Sequence, residues 1–234
     1  MFKRYNIIKM LVYTHLLPRI LSFPLISMNN NKAICLHPGL VFIPNMLTLN
    51  EQKSLSDLSH LNLIKSKNRI RMYDSLEKYP NAHNNVYQRY IKKAREIDKH
   101  LPRCIPTHCL TNFYSSSDGL LWHRDIYEND GDSDYTIFNL SIGAPAIFGY
   151  EINGKKSIIK LYSGDGILFG GDCRFIAHAI EHVYIHECPP WMRIPGRLSY
   201  TFRDSVSMFG RENEFKTFDI CDDFHKSQEK WNVD

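Results

Sequence analysis

Near Ile105 the spacing of apolar residues changes from the three-to-four of a helix to the two of a strand, and the new period persists to about residue 203. Short runs at 108–114, 120–125, 135–142, 145–152, 156–162, 166–170, 174–183 and 197–203 are bounded by Gly, Asp, Ser or Pro. Strands this short, separated by turn residues, bury their apolar faces only by stacking sheet on sheet. The pattern predicts a mainly β (α+β) chain: a double-stranded β-helix (jelly roll) with two N-terminal helices packed outside.

The first helix is marked by Thr48-Leu-Asn-Glu51, the form of a capping box, ahead of Leu55, Leu58, Leu61 and Leu63. The second is marked by Val86, Tyr90, Ile91, Ala94, Ile97 and Leu101 at helical spacing, running from about Asn84 to Leu101, where Pro102 ends it. An apolar run, Leu40 to Ile43, precedes both. Residues 64–83, basic and irregular, read as a loop or hairpin. The expected organisation is a targeting or unstructured segment at 1–30, helices and a basic substrate lid at 31–104, the β core at 105–204 and a tail at 205–234.

A length of 234 residues suits one generous domain. No run of about 18 apolar residues free of charge occurs, so no membrane span is expected. The six cysteines (Cys35, Cys104, Cys109, Cys173, Cys188 and Cys221) contain no Cys-x-x-Cys pair and read as reduced thiols of an intracellular protein in cytoplasm, nucleus or both. The first fifty residues carry no Asp or Glu, and Lys3, Arg4, Lys9 and Arg19 alternate with aliphatics. Residues 1–27 therefore have the look of a mitochondrial address, with Met28 as a second candidate start.

The net charge of +4 is segregated. Residues 65–103 carry eleven Lys/Arg against four acids, whereas 104–234 carry twelve against nineteen. A basic segment beside an acidic half suits a polyanion-binding surface next to a separate chemical site; a solvated helix face is the alternative.

His123-Arg-Asp125 opens the chemistry. On a strand, positions i and i+2 share a face, so imidazole and carboxylate converge. One remote histidine would complete the two-His, one-carboxylate set that leaves open positions on Fe(II). Alone the triplet is weak, since composition supplies about 0.7 by chance. Support comes from Arg197-Leu-Ser-Tyr-Thr-Phe-Arg203, where alternation puts Arg197, Ser199, Thr201 and Arg203 on one face. Two inward arginines need an anion, and a dicarboxylate satisfies both through forked N–H donors. Asn112 and Tyr114, also on one strand face, are suited to orient a carboxylate. The third ligand is to be chosen among His178, His182 and His186. A rival reading is zinc, because His178-Ala-Ile-Glu181-His182 matches H-x-x-E-H. That motif works on a helix, and the β-branched alternation around it favours a strand.

These residues together resemble the AlkB-type Fe(II)/2-oxoglutarate dioxygenases, which oxidatively remove alkyl groups from nucleic-acid bases. The similarity runs from about Cys109 to Arg203. It rests on Asn112-Phe-Tyr114, His123-Arg-Asp125, Leu140 to Phe148, the stretch from Ser163-Gly-Asp165 through Phe169-Gly-Gly171 to His178, and Arg197 through Arg203. The resemblance implies Fe(II) held by His123, Asp125 and His178, with 2-oxoglutarate as cosubstrate and O2 as oxidant. It implies Arg197 on the distal carboxylate, with Arg203, Asn112, Phe113, Tyr114 and Ser199 around the cosubstrate. Ser199 stands where the family's strand has Asn. The implied reaction is demethylation of bases such as 1-methyladenine or 3-methylcytosine in single-stranded or locally opened DNA or RNA, releasing formaldehyde, succinate and CO2.

On the substrate side the chain departs from the family. Tyr127 stands where an acid is common, with Glu128 one step late, and Trp122, Trp191 and Trp231 all lie away from the expected lid. Arg69, Tyr73 and Tyr127 become the substrate candidates, among Lys65, Lys67, Arg71, Tyr79 and His83, because aromatics interleaved with bases stack nucleobases and grip phosphates. A dioxygenase acting on a protein or small molecule, and a catalytically dead binding module, are the alternative readings. A monomer is expected.

Overall fold

A computed structural model of the chain describes residues 32–65, 71–75, 80–102, 106–125 and 135–203, with backbone alone at 63–65, 71–75 and 80–85. The segment 1–30, the tail 205–234, and the substrate candidates Arg69 and Tyr127 lie outside the described residues.

In chain order the elements are β1 (Ile34–His37), β2 (Leu40–Ile43), α1 (Leu49–Lys65), β3 (Arg71–Ser75), α2 (Pro80–Ile97), β4 (His108–Tyr114), β5 (Leu120–His123), β6 (Ile137–Gly143), β7 (Ala146–Ile152), β8 (Lys155–Leu161), β9 (Gly166–Phe169), β10 (Ala177–Val183) and β11 (Arg197–Arg203). They form a seven-stranded sheet, β1-β2-β9-β6-β11-β4-β3, and a four-stranded sheet, β5-β10-β7-β8. All neighbours pair antiparallel. This is the expected jelly roll with two helices outside it.

The larger sheet is covered on both faces, which explains why its central strands read as nearly continuous apolar runs. Leu40, Phe42, Ile137, Ile167 and Phe169 turn toward the smaller sheet, where they meet Phe148, Tyr150, Ile159 and Ile180. Their neighbours Val41, Ile43, Phe138, Leu140, Leu168, Leu198, Tyr200 and Phe202 turn toward the helices and pack on Leu55, Val86, Tyr90 and Ala94. Alternation along β11 thus commits Leu198, Tyr200 and Phe202 to the helix side and leaves Arg197, Ser199, Thr201 and Arg203 for the space between the sheets.

The capping box forms as read: Glu51 N–H donates to Thr48 Oγ1 (3.2 Å) and Thr48 N–H to Glu51 Oε2 (2.8 Å). The leucine stripe of α1 is only partly the buried face. Leu55 is buried but Leu61 is 54% exposed, and Gln52, Ser56, Ser59 and His60 point inward instead. Gln52, Ser56 and Ser59 are tolerated because partners exist, as where Ser59 Oγ lies 2.8 Å from the Tyr200 hydroxyl, which in turn donates to the Leu55 carbonyl, whereas His60 Nε2 has no hydrogen-bond partner among the described residues.

Among the boundaries that differ from the sequence reading, three concern the helices and the segment between them. Inside the segment at 64–83, read as a loop or hairpin, residues 71–75 pair with β4 as an edge strand. Helix α2 starts earlier, at Pro80, whose fixed φ suits a first helical position. It also ends earlier, at Ile97, because the Asp98 carboxylate accepts from Gly39 N–H (2.6 Å) and His100 N–H (2.9 Å) and turns the chain before Pro102 is reached. Among the described residues, no helix is long and apolar enough to cross a membrane.

Candidate active site

His123 ends β5 and His178 is the second residue of β10, and the two are register partners across the sheet. Their ring centroids are 4.3 Å apart. Asp125 lies two residues past His123, beyond the end of the strand, so its approach does not come from strand alternation as the sequence suggested. It is brought in by side chains. Arg174 Nη1 donates to the Asp125 carbonyl (2.6 Å), and Arg124 donates to the Phe175 carbonyl. The carboxylate then sits 3.8 Å from His123 Nε2 through one oxygen and 3.8 Å from His178 Nε2 through the other.

The ring nitrogens facing away from Asp125 settle the tautomers. His123 Nδ1 lies 2.8 Å from the Leu121 carbonyl, and His178 Nδ1 lies 3.1 Å from the Ile176 carbonyl. A carbonyl only accepts, so each Nδ1 carries the proton and each Nε2 presents a lone pair toward Asp125. Burial pushes the His178 imidazolium down to about 4, overcoming the opposing pull of Asp125. Burial also works against ionisation of Asp125. The Arg203 guanidinium, followed by His178, His123 and Arg174, outweighs it and holds the carboxyl well below the usual carboxylate range. The cluster thus offers two Nε2 lone pairs and one carboxylate, the donor set of a divalent metal site. Ligand atoms of His123, Asp125 and His178 all fall within 4.8 Å of one another, and no other such group occurs among the described residues.

The rival histidines stand apart. Glu181 is exposed, His182 packs edge-on against Tyr184 at 4.7 Å, and the His186 side chain is 76% exposed. The H-x-x-E-H match therefore lies on a strand, with only its first histidine in the cluster.

Beside the triad runs the site face of β11. Arg197 is fully buried; its Nε donates to Ser141 Oγ (2.9 Å), while Nη1 and Nη2 find no hydrogen-bond acceptor among the described residues. Burial lowers its pKa, and the neighbouring Tyr114 phenol, whose ring centroid lies 5.2 Å from the guanidinium carbon, partly offsets this. Buried cationic N–H groups without an acceptor are costly and call for an anion. Register places Tyr114 opposite Arg197 and Asn112 opposite Ser199. Arg203 Nη2 lies 3.5 Å from Asp125 Oδ2, at the triad end of this face. Phe113 is a correction. Alternation turns it away from the site to the helix side, where it meets His60 edge-on at 5.1 Å.

The profile of the 2OG-Fe(II) oxygenase superfamily matches residues 48–203, which include the triad and both arginines. The chain belongs to that superfamily. Within it the AlkB-type resemblance holds. This oxygenase is 33% identical over 113 residues to the DNA N(6)-methyladenine demethylase ALKBH1C of Arabidopsis thaliana, covering 44% of this chain and 25% of that protein. It is 30% identical over 129 residues to the alpha-ketoglutarate-dependent dioxygenase AlkB of Escherichia coli K12, covering 54% of this chain and 56% of that one. The oxygenase thus spans about a quarter of the first relative and about half of the second. Its fold matches the structure of OsALKBH1 with a TM-score of 0.63 at 23% identity, over 74% of this chain and all of that one.

Fe(II), 2-oxoglutarate and O2 are the cofactor and cosubstrates of this family, and the residues fit them. The two Nε2 lone pairs and the Asp125 carboxylate would hold Fe(II), and the orphaned donors of Arg197 would take a carboxylate of 2-oxoglutarate. Sequence reading missed Arg174, Arg124 and Ser141. None stands in a spacing that carries chemistry by itself: Arg174 and Arg124 act through main-chain carbonyls and Ser141 through the Arg197 guanidinium, partners that only the fold supplies.

Proposed function

We propose that this oxygenase removes N-alkyl groups from bases in DNA or RNA by oxidation, acting on single-stranded or locally opened substrate. The observation that carries the reading is the place of β3. Within the basic segment between the helices, residues 71–75 join the larger sheet as its edge strand, with Arg71 opposite Asn112 and Tyr73 opposite Leu110. Those rows continue across β4 to Ser199 and Thr201 on β11. A backbone that carries basic and aromatic residues is thus bound directly to the strand flanking the cosubstrate face, which suits gripping phosphates and stacking a base. The name of the ALKBH1C relative, a DNA N(6)-methyladenine demethylase, supports the same substrate class.

When bound, Fe(II) with 2-oxoglutarate and O2 supplies the oxidant that couples decarboxylation of the 2-oxo acid to hydroxylation of the substrate carbon. The chain's own contribution is ligation, orientation and shielding. His123 and His178 keep their protons on Nδ1 and leave Nε2 for the metal. Arg203 and Arg174 hold Asp125 ionised. Arg197 anchors the far carboxylate inside the protein, which fixes the direction of the 2-oxo acid. Hydroxylation of an N-methyl carbon gives a hemiaminal, whose C–N bond breaks to release formaldehyde and return the proton to the base nitrogen.

The test is succinate formation by the purified chain with Fe(II), 2-oxoglutarate and oligonucleotides carrying 1-methyladenine, 3-methylcytosine or N6-methyladenine, with mass spectrometry of the base. Succinate together with demethylated base supports the proposal, and succinate formed without any loss of base methyl overturns it. Replacing Lys67, Arg69 and Arg71 by Ala should weaken oligonucleotide binding and flatten its salt dependence.

A further inference from the structure

The family's strand carries an amide where this chain has Ser199, and the structure contains an amide one strand away. Asn139 on β6 is the register partner of Thr201 on β11. Its Oδ1 accepts from Ser199 Oγ at 3.1 Å, and its Nδ2 donates to Thr201 Oγ1 at 3.2 Å. All three lie on the face between Arg197 and Arg203, beside Asn112 and Ser141.

With Oδ1 turned to Ser199 and Nδ2 to Thr201, the bridge sets the polarity of two hydroxyls. A hydroxyl has one proton. Ser199 gives its proton to Asn139, so toward the site it offers lone pairs only. Thr201 receives a hydrogen bond from Asn139 and keeps its own proton, for which no acceptor is found among the described residues. Thr201 is 5% exposed, so water does not readily serve that proton. A carboxylate between Arg197 and Arg203 requires donors, and the donor on this stretch of β11 is then Thr201.

We propose that Asn139 is a positioning residue for 2-oxoglutarate. Through Ser199 and Thr201 it makes Thr201 the hydroxyl donor to the cosubstrate, and it stands in from β6 for the amide absent at 199. The proposal rests on the assignment of 2-oxoglutarate to this face. Binding of 2-oxoglutarate to Mn(II)-loaded protein by calorimetry separates the two: loss of binding in Arg197→Met tests the assignment, and the variants below test Asn139.

Thr201→Val, which keeps the side-chain shape, and Asn139→Ser should each weaken 2-oxoglutarate binding about tenfold, the worth of one hydrogen bond to a charged group. KM for 2-oxoglutarate should rise with little change in kcat. The double variant Thr201→Val/Asn139→Ser should be no weaker than Thr201→Val alone, because Asn139 acts through Thr201. Adding Ser199→Asn to Asn139→Ser should return binding to within about threefold of the parent by putting an amide back on this face. Unchanged affinity in Thr201→Val overturns the proposal, as do additive losses in the Thr201/Asn139 pair or a failure of Ser199→Asn to rescue. Thr201→Val also keeps the test valid if Asn139→Ser lowers the melting temperature.

Discussion

Arg174 Nη1 donates to the main-chain carbonyl of Asp125 at 2.6 Å, at the point where the pairing of β5 and β10 gives out. Past the pair His123 and His178 no ladder bond holds the chain, and two side chains cross in its place: Arg174 reaches the Asp125 carbonyl while Arg124 reaches the Phe175 carbonyl. Arg174 is 2% exposed, so its guanidinium also supplies positive charge in a medium that screens it little.

Arg174→Ala leaves the Asp125 carbonyl without its donor and removes one of the charges that keep the carboxylate ionised. Affinity for a divalent metal is expected to fall about 10- to 100-fold, as when a partner that orients a metal ligand is lost. Arg174→Lys should recover part of it. Calorimetric titration with Mn(II) reads this without turnover; an unchanged affinity would mean that strand register alone places Asp125.

Arg197 makes a prediction about stability as well as binding. Its Nη1 and Nη2 are buried without acceptors, so the metal- and cosubstrate-free protein holds an incompletely partnered charge. Arg197→Met should bind 2-oxoglutarate at least about 100-fold more weakly, yet be no less stable than the parent without cosubstrate. Adding 2-oxoglutarate should raise the parent's melting temperature and leave that of the variant unchanged. A variant that melts lower without ligand would show that Arg197 is already satisfied.

The sequence made β11 legible because that strand alternates between two chemically distinct sides. Leu198, Tyr200 and Phe202 are apolar and their neighbours are not, so the site face of β11 could be named before its surroundings were known. The histidine ligand was harder. His178, His182 and His186 share one segment: the pairing to His123 turns His178 inward, the β-bulge between Ile180 and His182 separates His182 from it, and His186 lies past the end of β10. Strand β3 was illegible for the opposite reason. Edge strands are short and polar, and Arg71–Ser75 carries no apolar alternation that distinguishes it from a loop.

Gly149 is a further position whose reason appears only in the fold. A Cβ there would lie 2.9 Å from Trp122 Cζ2 and 3.1 Å from Glu181 Oε1. The indole of Trp122 crosses the outer face of the smaller sheet in the space that Gly149 leaves, with Lys156 Nζ 4.4 Å above its ring. Trp122 immediately precedes His123, so this packing ties β5 to β7. Gly149→Ala should destabilise the protein by about 1–3 kcal/mol, the cost of overpacking a filled site. Chemical denaturation measures it; no loss would show that the indole shifts freely.

Asp165 gives a pH dependence of definite sign. Its carboxyl is 5% exposed and accepts from Tyr162 N–H (2.8 Å) and Asn45 N–H (3.0 Å). Burial outweighs both bonds and pushes its pKa up to about 7 from an ordinary 3.8. Between these values the folded protein holds a proton that the unfolded chain has released, so the Asp165 contribution is complete below pH 3.8 and lost as pH rises through about 7. His178 slopes the other way in the metal-free protein: its pKa is about 4 against an ordinary 6.5, so its contribution is present above 6.5 and lost as pH falls through 4. The two partly cancel in the whole-protein profile. They separate in the difference between the parent and Asp165→Asn, which carries a fixed loss of one acceptor but no titration at 165. From pH 4.5 to 7.5 that difference should move steadily against the parent, and a pH-independent difference would mean that Asp165 ionises at its ordinary value.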